Sequence, residues 1–368
     1  MRILFLISSM HSGGAERVAS TLANAWAARG DEVILMPTFS GRGECFYPLS
    51  QEIRLVYLAD LVSSRVRTLW NRLARLLALR RFISSERPDV IVSFLPNVNV
   101  AAVLASIGFG IPVIVCERSD SFVMRGSHLD RRMSRLTYPF ASGLVVQTQV
   151  LARKYVSSGQ ALRMVRVIPN PITRQIIDTQ HNVGHARTKR ILSVGRLVDQ
   201  KQFDVLIKAF ANLARIHPDW SLRIIGEGPL RAVLQKQIID LGLEDRIELP
   251  GRSTTIGEEF AAADIFAFTS SCEGFPNALL EAMAVGVPCV TFDCPCGPRE
   301  ISLDGQVALL VPPNDERDLG LAMERLMVDA DLRSSLGARA RSSVIERFSL
   351  DNILKQWDEL FKELGVKR

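Results

Sequence analysis

Aromatic side chains are scarce in this chain, 7% of 368 residues, and only five residues are histidine. Proteins that grip single-stranded nucleic acid interleave aromatic with basic side chains, so this scarcity argues against such a partner. The histidines, His11, His128, His181, His185 and His217, show no metal-ligand spacing. Only His11, in a glycine loop, and His128 are candidates for a cleft, and surface or packing roles are the simpler reading for both. The six cysteines (45, 116, 272, 289, 294 and 296) include no paired C-x-x-C spacing. Cys294-Pro-Cys296 has neither a second pair nor a histidine beside it. No metal is expected, and the thiols read as reduced, as in a cytoplasmic protein.

Other absences narrow the class further. Ile3 to Ile7 is too short for the apolar core of a secretory signal. No G-x-G-x-x-G follows the first predicted strand, which removes a dinucleotide dehydrogenase. Ile91 to Cys116 carries no charge and is long enough to span a bilayer. Pro96, Asn97, Asn99, Gly108, Gly110 and Pro112 punctuate it, however, so strand (91–95), helix (98–106) and strand (113–116) are expected in place of a transmembrane span. Acidic residues are missing from Leu61 to Ser85. Within that stretch Ser63 to Phe82 has helical spacing: Val66, Leu69, Trp70, Leu73, Leu76 and Leu77 form an apolar stripe, and Arg65, Arg67, Arg72, Arg75, Arg80 and Arg81 the polar face. Two readings stand side by side, a solvated face over a core-packing stripe and a contact with anionic lipid headgroups or a lipid-linked diphosphate.

What is present is an ordinary globular balance, 47% hydrophobic and 23% charged, over a length that suits two domains. The net charge of +6 and pI near 9.1 are compatible with nucleic acid, anionic lipid or a polyphosphate ligand and do not choose among them. Met1 to Ser9 reads as a strand, Ser12-Gly13-Gly14-Ala15-Glu16 as a tight loop, Arg17 to Ala28 as a helix and Glu32 to Met36 as a strand. This is a β-α-β unit with a glycine-rich first turn. Cys116-Glu117-Arg118-Ser119-Asp120 places charges directly after a strand, and Arg166 to Pro171 resembles a domain end. The first domain is therefore expected at 1–172 and a polar linker at 173–188. The same grammar restarts at 189–345: strand 190–194, loop 195–201, helix 203–216, strand 221–225, then Gly226-Glu227-Gly228-Pro229. The tail from Leu319 to Lys362 is helical, and 346–368 is expected to pack across both domains. The implied architecture is α/β, two Rossmann-like doubly wound domains facing a cleft, with a C-terminal helix crossing back.

One stretch organises the second half. Ile265 to Phe268 reads as a buried strand and Asn277 to Ala284 as a helix, with Pro276 near its first turn and Gly286 past its end. Between them the amides of Gly274, Phe275, Asn277 and Ala278 sit at a positive helix end, an anion site. Two carboxylates, Glu273 and Glu281, bracket that turn. Amides for phosphate and carboxylates for hydroxyls suit a sugar nucleotide.

Gly195-Arg196 with Lys201, Gly226 to Pro229, and Glu273 through Glu281 resemble the retaining glycosyltransferases of family 4 with the GT-B fold. Ser12 to Arg17 and Cys116 to Asp120 are similar to bacterial members that build lipid-linked oligosaccharides, notably hexosaminyl (GalNAc-type) transferases. The resemblance implies that Arg196, Lys201 and Glu273 are catalytic, without a metal. It implies a donor site of Gly13, Gly14, Gly195, Gly226, Arg252, Gly274, Phe275, Asn277, Ala278 and Glu281. Glu281 would hold the ribose and Glu273 the transferred sugar. Glu117, Arg118, Arg72 and Arg75 fall to the acceptor, a lipid-linked saccharide. Many members carry a histidine where this chain has Glu117-Arg118. The expected reaction moves a hexose or N-acetylhexosamine from a UDP-sugar, with retention, at the inner face of the cytoplasmic membrane. A sugar-nucleotide epimerase of similar fold and a non-catalytic nucleotide-sugar binder are the alternatives; conversion of donor without acceptor would reveal the first.

Overall fold

The computed structural model describes residues 1–11, 13–39, 45–62, 69–119, 122, 128–179, 181 and 189–367, with the side chains of 69–70 and 128–130 excepted. Arg65, Val66, Arg67, Asp120, His185 and most of the expected linker lie outside the described residues. The chain divides into two compact units, Met1–Pro171 with Ile353–Arg368, and Ile172–Asn352.

The first unit holds strands β1 (Arg2–Ile7), β2 (Glu32–Pro37), β3 (Arg54–Leu55), β4 (Val90–Phe94), β5 (Val113–Cys116), β6 (Gly143–Val146) and β7 (Val165–Val167). They form one sheet in the order β3-β2-β1-β4-β5-β6-β7 with every pair parallel. Its helices are α1 (Gly14–Ala28), α2 (Leu69–Glu86), α3 (Pro96–Ser106), α4 (His128–Thr137) and α5 (Gln149–Ser157). The second unit opens with α6 (Arg174–Asp178) and carries strands β8 (Lys189–Val194), β9 (Trp220–Ile225), β10 (Ile247–Gly251), β11 (Ile265–Phe268), β12 (Cys289–Phe292) and β13 (Leu309–Val311). Their order is β10-β9-β8-β11-β12-β13, again all parallel. Helices α7 (Phe203–Ala214), α8 (Arg231–Asp240), α9 (Ile256–Ala261), α10 (Asn277–Val285), α11 (Pro298–Ile301), α12 (Glu316–Val328) and α13 (Ala330–Phe348) cover it, and α14 (Leu350–Glu363) closes the chain.

Burial follows position in the sheet. Every residue of β4, β5, β11 and β12 is buried, as a strand covered on both faces requires, whereas edge strand β10 alternates buried and exposed. The second sheet separates two apolar cores. One contains Phe203, Phe210, Trp220, Leu319 and Met323. The other contains Phe260, Leu279, Met283, Ala340 and Val344. In the first unit Trp26 of α1 meets Phe5 and Trp357 at 5.6 Å between ring centres and Phe361 at 5.8 Å. The ion pair Arg29–Asp358 at 3.0 Å and the two-pronged contact of Arg166 with Glu363 join that packing. Thus Ile353 onward belongs to the first unit, while 346–348, expected in the same helix, end α13 before a break at Ser349.

Two expectations change. The start of the expected linker is helical and Ile176 is buried in the second unit's core, an anchor that its polar composition hid; Ile172, expected to end the first domain, is buried in that core too. Helix α2 runs on to Glu86, and its buried side chains are Asn71, Leu79, Phe82 and Ile83. Leu73 and Leu77, placed in the packing stripe from sequence, stay 48% and 45% exposed. Arg75 and Arg80, placed on the solvated face, donate to the carbonyls of Thr38 at 3.0 Å and of Ala105 at 3.1 Å. The extra turn at the C-terminal end supplies Ile83, which with Leu79 and Phe82 shifts the core-facing stripe. No helix among the described residues is long and apolar enough to cross a membrane.

Candidate active site

In a doubly wound sheet the strand order reverses at one place, and the loops leaving the carboxyl ends there diverge to leave a crevice. In the second unit that place lies between β8 and β11. The loop after β8 carries Gly195, Arg196 and Lys201, and the loop after β11 carries Glu273, Gly274 and Phe275.

The two loops are fastened to each other. The Gln200 carbonyl accepts from the Ser271 amide at 2.8 Å and the Ser271 hydroxyl at 3.2 Å. Its side-chain amide donates to the Cys272 carbonyl at 2.6 Å, and the Thr269 hydroxyl donates to the Lys201 carbonyl at 2.8 Å. Gln202, just beyond, adopts a left-handed φ of 49° and turns the chain into α7. The result is a 2.5 Å ion pair between Lys201 Nζ and Glu273 Oε1, both mostly buried, with Nζ 5.1 Å from the centre of the Phe268 ring. Arg196 is exposed and has no side-chain hydrogen bond or ion pair among the described residues. One cation is thus held and one is free.

Glycine makes the third loop possible. Gly226 follows β9 with φ +152°, and a Cβ there would stand 1.8 Å from the Gly195 carbonyl oxygen. The loops bond across that contact, Gly195 N to the Ile225 carbonyl and Leu197 N to the Glu227 carbonyl, each at 3.0 Å. Pro276 is buttressed from the far side by Gly297, at φ +126°, where a Cβ would meet Pro276 Cδ at 2.3 Å.

Of the four amides expected to face an anion, that of Asn277 already donates to the Phe275 carbonyl at 3.0 Å. The Phe275 side chain turns away into the core, against Phe348 at 6.0 Å. Glu281 is buried on α10, 6% exposed, and Arg252 follows β10 and is exposed. Sequence reasoning missed two neighbours. Gln200 ties the loops as described, and Ser270 has a buried hydroxyl without a partner among the described residues. Cys294 is buried beside the site, where burial first, then Glu273 and Cys272, push its thiol up; among the described residues no cysteine is in a disulfide.

In the first unit the reversal lies between β1 and β4. Gly13 and Gly14 open α1 there, and the Ser9 hydroxyl donates to Glu16 at 3.0 Å. The charges after β5 behave differently. Glu117 is 1% exposed and accepts a short hydrogen bond from the Tyr138 hydroxyl. Burial pushes its carboxyl up to about 7, against bonds from Tyr138 and Tyr155 that pull it down. Asn99 extends the network, donating to Tyr138 at 3.0 Å and to the Cys116 carbonyl at 3.1 Å while accepting from Ser93 at 2.8 Å. Glu117 therefore faces protein hydroxyls inside the unit. Arg118 lies with its guanidinium centre 3.5 Å from the centre of the Phe94 ring and donates through Nη1 to Asn170 Oδ1 at 2.8 Å. Of the arginines on α2, Arg72 is exposed and Arg75 is tied to Thr38 as above.

Comparison with known proteins bears on the family and the fold. The family model described as Glycosyl transferase 4-like domain matches residues 13–171, and the one described as Glycosyl transferases group 1 matches 177–343. A Campylobacter jejuni protein, GalNAc-alpha-(1->4)-GalNAc-alpha-(1->3)-diNAcBac-PP-undecaprenol alpha-1,4-N-acetyl-D-galactosaminyltransferase, is 27% identical over 99% of each chain. The exopolysaccharide phosphotransferase SCO2592 of Streptomyces coelicolor is 32% identical across all of this chain, which spans only 41% of that relative's length. Among solved structures, Anabaena HepE in complex with UDP superposes with a TM-score of 0.82 at 21% identity, covering 99% of this chain and all of that one. Sucrose-phosphate synthase from Thermosynechococcus elongatus gives 0.83 at 19% identity and 99% coverage of both. At such identities the solved structures speak for the fold alone.

Proposed function

From the premise that the chain belongs to the family-4 glycosyltransferases of GT-B fold, we propose that it moves a hexose or N-acetylhexosamine from a UDP-sugar to a lipid-linked saccharide. The setting would be cell-surface polysaccharide or glycan synthesis. The observation that carries this reading is the Lys201–Glu273 pair, 2.5 Å long, at the crevice of the second sheet, with Arg196 on the same loop unpaired among the described residues.

The chemistry follows from charge. As the bond from anomeric carbon to phosphate breaks, the sugar becomes oxocarbenium-like and the departing diphosphate gains negative charge. Fixed cations and dipoles aimed at that charge lower the barrier without reorganising. Arg196, Lys201 and the free amides before α10 would take the diphosphate, without a metal ion. Its arrival gives Lys201 a second anionic partner and frees part of Glu273 for the sugar hydroxyls. Glu281 would hold the ribose. The acceptor hydroxyl would attack from the face that the phosphate leaves, which retains the anomeric configuration. The Campylobacter relative, named for a polyprenyl-diphosphate acceptor, supports the acceptor class. A peripheral contact with anionic membrane at the cytoplasmic side fits the outer face of α2, where exposed Leu73 and Leu77 sit one turn apart beside exposed Arg72 and Arg81.

Saturation-transfer NMR with a panel of UDP- and GDP-sugars tests the donor, and a lipid-linked acceptor assay with anomeric assignment of the product tests the rest. UDP-sugars should give signal and GDP-mannose none. Replacing Arg72 and Arg75 by Ala should raise the KM for the acceptor more than for the donor; unchanged kinetics would remove α2 from the acceptor site. Conversion of the donor sugar without any acceptor would favour an epimerase.

A further inference from the structure

Four successive strands of the first sheet end in side chains that meet: Phe94 ends β4, Arg118 follows β5, Gln147 follows β6 and Asn170 follows β7. Asn170 Oδ1 accepts from Arg118 Nη1 at 2.8 Å and from Gln147 Nε2 at 2.9 Å. The amide oxygen is the only side-chain atom of Asn170 that can accept from two donors, so the orientation of Gln147 is fixed as well: its Nε2 points to Asn170 and its Oε1 points away. The Phe94 ring holds the guanidinium plane from one face.

Among the described residues three atoms in this arrangement lack a hydrogen-bonded oxygen or nitrogen partner although they are shielded from water: Arg118 Nε, Arg118 Nη2, with only the Cys116 thiol near the guanidinium, and Gln147 Oε1. Nε and Nη2 form the side edge of the guanidinium, the fork that takes two oxygens of one phosphate or carboxylate. No described residue forms an ion pair with Arg118. The adjacent Cys116 thiol, pushed up to about 12 by burial, is neutral and balances no charge. Burial lowers Arg118 itself only to about 10, so it is charged at neutral pH. Buried polar atoms of native proteins nearly always have partners, and a charged fork left open next to an open acceptor describes a ligand: an oxyanion flanked by a hydroxyl or N–H donor.

We infer that Arg118 and Gln147, aligned by Phe94 and Asn170, form a subsite for the sugar-phosphate end of the acceptor, with a phosphate oxygen pair on the Arg118 fork and a sugar hydroxyl or N-acetyl N–H on Gln147 Oε1. This rests on the glycosyl-transfer reading and deepens it, because it names which part of the acceptor the first unit recognises. The same fork could serve the diphosphate of the donor, and the two sources separate by experiment.

The test is calorimetric titration of the full chain with N-acetylglucosamine 1-phosphate and, separately, with UDP. The sugar phosphate should bind the unaltered protein. Arg118→Lys, which keeps the charge and loses the fork, should weaken it at least tenfold. Gln147→Glu, which sets a carboxylate near the fork and gives up the bond to Asn170, should weaken it as much, with thermal unfolding showing the variant still folded at the titration temperature, so that loss of binding is not loss of fold. UDP affinity should stay within twofold in both variants. No binding of the sugar phosphate, or equal binding by Arg118→Lys, overturns the subsite. A parallel fall in UDP affinity assigns the fork to the donor and overturns the acceptor assignment. Normal sugar-phosphate binding that depends on Arg118, in a protein that does not bind UDP, upholds the subsite and removes the donor reading instead.

Discussion

The two units share a strand order and differ in what they do with charge at the carboxyl ends of their strands. In the second unit Lys201 and Glu273 neutralise each other, and Arg196 has no ion pair among the described residues, so the loops keep charged groups at the crevice. In the first, Glu117 is drawn inside among tyrosine hydroxyls with its carboxyl raised, and Arg118 is clamped between Phe94 and Asn170. One topology thus supports an electrostatic site of paired ions and a site of buried, hydrogen-bonded polar groups. The difference arises from whether a strand is followed by a glycine-lined loop, as at Gly195, or by neighbours with aromatic bulk, as at Glu117.

The comparison breaks most sharply at Lys201. Removing one preorganised charge donor from a developing oxyanion costs about 100–1000-fold in kcat. Lys201→Ala should fall in that range in a transfer assay, with nucleotide affinity changing far less. Intact turnover would place the reaction elsewhere. Glu281→Ala should show the opposite split, weaker nucleotide binding ahead of any loss in kcat.

Next in size is Gly226→Ala. The left-handed conformation alone costs about 1–3 kcal/mol for a residue with a Cβ, and the 1.8 Å approach to the Gly195 carbonyl forces the loops apart in addition. Thermal unfolding should show a fall of several degrees, at about 2–4 °C per kcal/mol for a unit of this size, together with lost activity. An unchanged melting temperature would mean that the two loops do not touch.

In the first unit the sensitive variable is pH. Glu117 is raised from an ordinary 4.5 to about 7, so the folded state holds its proton over a range in which the unfolded chain has released it. Stability from this group is fully present below about 4.5 and is lost as pH rises to about 7. Glu117→Gln keeps a neutral, hydrogen-bonding side chain at every pH. Its melting temperature relative to the unaltered protein should therefore climb between pH 5 and 8 and level off above that. A constant difference would show Glu117 ionised throughout.

The smallest effect sharpens the loop contact. Gln200→Ala removes the bond to the Cys272 carbonyl and leaves the Gln200 carbonyl in place. A single such bond is worth about 1 kcal/mol, which corresponds to no more than about a tenfold loss in kcat.

Much of this was legible in the residues. Central strands such as Ile265–Phe268 read as unbroken apolar runs because both faces are covered, and the strand-glycine-helix grammar set the two parallel sheets. Two edge strands did not declare themselves: β3 is two residues long and β13 three, too short for any period. The α2 stripe was misplaced because Arg75 and Arg80 satisfy backbone carbonyls through long side chains, which no period of 3.6 reveals. The cations and carboxylates of the second unit stood out as charges next to glycine. Gln147, Asn170, Asn99 and Tyr138 did not, since a neutral polar side chain after a strand gains meaning only when its neighbours from other strands are seen.

A crystal structure of the chain with UDP bound tests the central claim most directly. The diphosphate should lie against Arg196, Lys201 and the amides between Glu273 and Ala278, with the ribose hydroxyls on Glu281. Phosphates resting on any other surface, with the Lys201–Glu273 pair undisturbed, would contradict it.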